Sequence, residues 1–180
     1  LPVARHATLS MDITHLCGQL ARAGQTILAL TEGIDDASAR IRYRADAWSI
    51  VEVMCHLYDE EREDFRLRVI QPLTAPHLPI PGIAPEEWVH SRHYAAQSLA
   101  RVRQQFRSER IRSIQQLQQL TDPQWQTHLN HPRLAELTAR DIAWSWLAHD
   151  MLHIRQLNEL NYLRLSAISS SPFIGYAGDW

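Results

Sequence analysis

Apolar residues recur at three- and four-residue intervals through four long stretches of this sequence, and no two-residue alternation persists between turn dipeptides. The first pattern lays an apolar stripe along a helix; the second is what a half-buried strand requires. The expected fold is therefore all-α: a four-helix bundle, one domain over residues 1–180, with an extended C-terminal tail. The first helix reads from about Met11 to Thr31, with Ile13, Leu16, Leu20, Ile27 and Leu30 on its stripe, and Gly33 and Asp35-Asp36 break it. The second begins near Ser49. Ser49 and Glu52 form an S-x-x-E capping box, which satisfies two orphan backbone donors. It continues through Val53, His56 and Glu60 to about Ile70.

Pro72, Pro76, Pro79, Pro81 and Pro85 then predict a loop, because proline removes a donor and crowds the preceding turn. Pro85-Glu86-Glu87 predicts a short helix start. The third long helix spans roughly Ala95 to Leu120, carrying Leu99, Val102, Phe106, Ile114, Leu117 and Leu120. Thr138 and Asp141 cap the fourth, which runs to about Leu163. The tail from Ser166 to Trp180 carries Phe173, Tyr176 and Trp180, and is expected to lie over the bundle or against a partner.

A chain of 180 residues can bury a core without disulfides. The net charge of −2 gives no basic field for nucleic acid. Two cysteines, Cys17 and Cys55, are too few for a disulfide scaffold and fit a reducing, cytoplasmic setting. No apolar run reaches the roughly 18 residues of a membrane span, and the opening LPVARHATLSMD has no apolar core of a secretory signal. All 18 basic residues are arginine. Without lysine the chain can neither form a Schiff base nor complete a phosphate-binding P-loop.

Histidine spacing carries the chemistry. His149 and His153 are four apart, one turn along one helix face, about 5–6 Å between Cβ atoms. Ile142 and Trp146 precede them on that face, and Gln156 and Leu160 follow, so the stripe points into the core. Two imidazoles so placed can share one ion at about 2.0–2.1 Å each. His56, in the second helix, supplies a third nitrogen when the two helices lie side by side. Three protein ligands with an open fourth position make a catalytic pattern rather than a closed structural one.

Two segments, Trp48-Ser49-Ile50-Val51-Glu52-Val53-Met54-Cys55-His56-Leu57 and His149-Asp150-Met151-Leu152-His153-Ile154-Arg155-Gln156, resemble in order and separation the DinB-like superfamily of four-helix bundles, also called DinB/YfiT-like. The resemblance covers residues from about 10 to 163. It implies a divalent metal on His56, His149 and His153, with zinc or nickel expected first and iron or copper as alternatives. It also implies a metal-dependent transferase or hydrolase acting on a small electrophilic molecule, with a low-molecular-weight thiol as co-substrate, and a homodimer. The alternative is a non-enzymatic, metal-containing stress-response or interaction protein. One departure is the absence, in residues 131–137, of a glycine common shortly before the last helix.

Glu60, one turn after His56, is the candidate general base; the competing and favoured reading makes it a solvated member of the acidic run Asp59-Glu60-Glu61. Asp150 is expected at the surface or behind the ligands, Gln156 along the cavity, and Cys55 and Cys17 as core thiols. Trp48, Trp144 and Trp146 are expected in the core or cavity wall. The run Arg101, Arg103, Arg107, Arg110 and Arg112 is expected on a solvated face. The pairs His90/His93 and His128/His131 lack a matching third ligand. A ferritin-like di-iron site needs Glu-x-x-His on two helices, and only Glu87 to His90 has that spacing.

Overall fold

The computed structural model describes residues 12–169 and 174–178. Among these residues four rods form the bundle. The first is α1 (Ile13–Leu30). After a single turn, α2 (Asp36–Ala39), the second rod runs without a break. It comprises α3 (Ile50–Glu60), a π-helical segment (Glu61–Phe65) and α4 (Arg66–Thr74). A short α5 (Pro85–Ser91) follows. The third and fourth rods are α6 (Leu99–Gln118) and α7 (Ala139–Ile168). α1 packs against α6 and α7, and the second rod packs against the same two. The first and second rods thus occupy opposite corners, as do the third and fourth. This crossing arrangement places His56 on a rod directly beside the one bearing His149 and His153.

Local signals fix the ends. At the start of α3 the Glu52 carboxylate accepts from both the Ser49 N–H and hydroxyl, each at 2.8 Å. At the start of α7 Thr138 N–H donates to Asp141 at 2.9 Å, and Asp141 N–H donates back to Thr138 Oγ1 at 3.2 Å. The third rod starts later than Ala95 because His93 takes a left-handed conformation (φ 50°) and residues Tyr94–Ala96 form a 3-10 turn. Pro72, expected in a loop, sits inside α4, which continues to Thr74. There it removes one bond from the ladder, the one an N–H at this position would make to the Arg68 carbonyl, and the helix ends two residues later. The loop after it is pinned instead by Asn130, whose carbonyl accepts from Ile80 N–H at 2.8 Å and whose side chain donates to the His77 carbonyl at 3.0 Å.

Two buried clusters fill the bundle. One joins Ile27, Val53, Met54, Leu57, Tyr94, Leu99, Phe106 and Leu157. The other joins Leu16, Leu20, Phe65, Val69, Leu117, Leu129 and Trp146. Trp146 is core, but Trp144 is 38% exposed and belongs to neither core nor cavity wall. α7 runs five residues past Leu163, to Ile168, so the tail begins later than expected. Tyr176 in the following 3-10 turn is 98% exposed and covers nothing on the bundle; Phe173 and Trp180 lie outside the described residues. Among the described residues no helix is long and apolar enough to cross a membrane.

Candidate metal centre

The three histidines meet. His149 Nε2 lies 3.1 Å from His56 Nε2 and 3.1 Å from His153 Nε2. The ring centroids are 4.4–5.2 Å apart. Among the described residues this is where at least three metal-ligating side chains converge, each offering one atom within 4.8 Å of the others.

Proton counting shows that such a cluster suits a cation. Burial and the neighbouring His153 drive the His56 pKa down to about 3. Burial, His153, His56 and Arg110 depress His149 further, and burial lowers His153 as well. Near neutrality all three rings are therefore uncharged, with one N–H each. His153 Nδ1–H donates to Gln156 Oε1 at 2.8 Å, which leaves its Nε2 as a bare lone pair aimed at His149. A single N–H on His149 Nε2 can satisfy only one of its two neighbours. Two nitrogens bound to one ion at about 2.0–2.1 Å, with angles of about 90–110°, lie about 2.9–3.4 Å apart. The observed 3.1 Å spacings fall in that range.

The surroundings hold the rings in place. Phe65 packs on His149 with centroids 4.7 Å apart, and Trp48 packs on His56 at 4.9 Å. Glu60 Oε1 stands 4.0 Å from His56 Nδ1, which is buried without a hydrogen-bond partner. The solvated reading of Asp59-Glu60-Glu61 is wrong: all three residues are buried. Burial, then a hydrogen bond with Asp64, raises the Glu60 pKa to about 8, so its carboxyl keeps a proton at neutral pH.

Asp150 is fully buried rather than superficial, and it accepts two bonds from Arg110, at 2.6 and 2.9 Å. Arg110 also bonds Glu61 at 2.9 Å and the Leu20 carbonyl at 2.8 Å, while Trp146 Nε1–H donates to Glu61 at 3.0 Å. This network ties all four rods together around the histidines. Arg110 was expected on a solvated face; it is buried because two carboxylates need it. Gln156 orients His153 and is absent from the cavity wall. Cys17 and Cys55 are buried free thiols, and burial pushes the Cys55 pKa up to about 12. His128 bonds the Ala135 carbonyl at 2.9 Å, and buried His131 accepts from Arg133 N–H, so each serves its own loop.

A cavity of about 580 Å³ is lined by His56, alone of the three histidines, and by Glu60, Trp48, Ile83, Ala84, Pro85, Glu86 and Glu87. A larger groove of about 810 Å³, lined by Cys17, Gly18 and Trp125 among others, lies between α1 and α6 and touches none of the three histidines.

Comparison with known proteins follows the same lines. The profile of the DinB superfamily matches residues 19–157. YfiT from Bacillus subtilis, described as a probable metal-dependent hydrolase with an unusual four-helix bundle topology, superposes with a TM-score of 0.74. The match covers 87% of this chain and 91% of that one at 19% identity, a likeness of fold. No curated protein matches the sequence.

Proposed function

Because the chain belongs to the DinB superfamily, we propose that His56, His149 and His153 hold one divalent metal ion, zinc or nickel first, and that the protein is a metal-dependent transferase or hydrolase acting on a small electrophile. The observation that carries this reading is the convergence of three neutral imidazoles, with His149 Nε2 lying 3.1 Å from the Nε2 of both His56 and His153.

A divalent ion held there supplies Lewis acidity, lowering the pKa of a thiol or water toward neutrality. The chain's own groups do the rest. Glu60, beside His56 with a pKa of about 8, is placed to move the nucleophile's proton: its ionised fraction takes the proton and the resulting carboxylic acid returns it. Gln156 fixes the His153 tautomer that leaves Nε2 free. Trp48 and Ile83 supply the apolar part of the cavity wall. The cavity of about 580 Å³ is of metabolite size and favours a catalytic reading over a closed, non-enzymatic metal site.

The test is elemental analysis of untagged protein alongside His153→Ala. The native chain is expected to carry close to one divalent ion, and the variant to lose it with its helix content intact. Equal metal in both, or undiminished thiol-dependent turnover after metal removal, would refute the proposal.

A further inference from the structure

The cavity leading to His56 has a one-signed wall. Its polar lining, apart from His56 and the Trp48 indole, is Glu60, Glu86 and Glu87, and no arginine contributes to it. Elsewhere in this chain of 18 arginines, acids near the fold's centre are paired. Glu52 is held by Arg42, Asp59 and Glu63 by Arg92, and Glu61 and Asp150 by Arg110. Glu86 and Glu87 are exposed in the first turn of α5, and neither has an ion-pair partner among the described residues. His56 lines the same cavity, and its Nδ1 is buried without a hydrogen-bond partner.

Resting on the metal reading above, we propose that this pocket takes small molecules carrying a cationic ammonium group at one end and a metal-seeking donor, such as a thiol, at the other, and that it discriminates against anionic analogues. The two ends are set by opposite fields. A divalent ion at the three imidazoles attracts an electron-pair donor and repels a cation, so the ammonium must sit away from it. The Glu86 and Glu87 carboxylates attract that ammonium at the mouth. The indole of Trp48 lines the same pocket, packed against His56. An anionic tail would meet two unpaired carboxylates and no counter-charge, so a thiol bearing carboxylates or a sulfonate is the wrong co-substrate for this mouth.

Three thiols of similar size separate the charges: thiocholine (cationic), 2-mercaptoethanol (neutral) and 2-mercaptoethanesulfonate (anionic). None has a second group that competes strongly for the metal. Their dissociation constants from the cobalt-loaded full chain are read from the thiolate-to-cobalt charge-transfer band and corrected for each thiol's own acidity. Exposed charge pairs contribute about 1.4- to 5-fold each. Thiocholine should therefore bind roughly tenfold tighter than the sulfonate, with mercaptoethanol between, and the spread should shrink as salt is added. In E86Q/E87Q the three should fall within about twofold of one another. The inference is overturned if the sulfonate binds as tightly as thiocholine to the native chain, or if salt leaves the spread unchanged. It is equally overturned if the spread survives in a folded double variant, in which case the two acids serve only the α5 terminus. A chain that takes up no cobalt sinks the metal reading and this inference together, whereas charge-blind thiol binding sinks this inference alone.

Discussion

Replacing Arg110 with Met tests the idea that one buried cation organises the whole centre. The guanidinium bridges Glu61 and Asp150, both buried, and also bonds the Leu20 carbonyl. Met keeps most of the apolar stem, so little cavity opens and the loss is chiefly electrostatic. Removing one partner of a buried ion pair costs about 3–5 kcal/mol, because the remaining charge has neither water nor counter-ion. Here two carboxylates are stranded side by side, so a loss of about 4 kcal/mol is the expected minimum. That is a large share of the roughly 5–15 kcal/mol a domain has. At about 2–4 °C per kcal/mol for a chain of this size, Tm should fall by about 8–16 °C. Urea and thermal unfolding of metal-free protein measure both quantities. Arg110→Met combined with Glu61→Gln and Asp150→Asn should recover part of the loss, since neutral amides tolerate the dry site better than carboxylates do. A loss below about 1 kcal/mol in the single variant would refute the argument. So would a triple variant no more stable than the single one, since the penalty would then not be stranded charge.

Glu60→Gln should stabilise the metal-free protein, and increasingly so with pH. The folded-state pKa of Glu60 is raised to about 8 from an ordinary 4.5, so the native state gives up stability as pH rises from 4.5 through 8. At pH 8 the glutamine variant should be more stable by about 4 kcal/mol, with the gap shrinking to about 1 kcal/mol near pH 5; a pH-independent gap in urea midpoints would contradict this. Gln156→Leu removes the acceptor that fixes the His153 tautomer and should weaken metal binding about 10- to 100-fold, read by chelator competition; unchanged affinity would show that the bond does not matter. Cys55, buried with its thiol pushed up to about 12, should be inert to an aromatic disulfide reagent in the native protein and react at once in urea. Fast native labelling would place it at an accessible site.

What the sequence revealed and what it hid divide along physical lines. Helix periodicity and the two capping boxes are local, so the four rods and the starts of α3 and α7 were legible to within a few residues. The His149/His153 pair was legible for the same reason, since four-residue spacing on a helix is itself a contact. The fate of the charged residues was not. Glu60, Glu61, Asp150 and Arg110 look like solvated surface in one dimension, because ionisable residues are rarely buried unless paired. Arg110 pairs with Asp150 and Glu61, 40 and 49 positions away. One signal did exist. Arg110 lies four residues after Phe106 and seven before Leu117, on the buried stripe of α6, and a cation at such a position implies buried anions facing it.

The π-helical segment explains how the second rod serves two sites at once. His56 and Glu60, four apart, point along one face toward the cavity. In an unbroken α-helix Phe65, nine residues beyond His56, would point about 180° away from it, given 3.6 residues per turn. A segment that absorbs one extra residue turns everything after it back by about 100°. That rotation brings Phe65 round to within 4.7 Å of the His149 ring and 6.0 Å of Trp146. The same segment opens with Glu61, which receives Arg110 and Trp146 from the two neighbouring rods. A regular helix could aim His56 and Glu60 into the cavity or Phe65 onto the last helix, but not both. The local cost of poorer hydrogen-bond geometry is offset by an aromatic wall and a buried ion pair formed where a ligand cluster most needs rigid support.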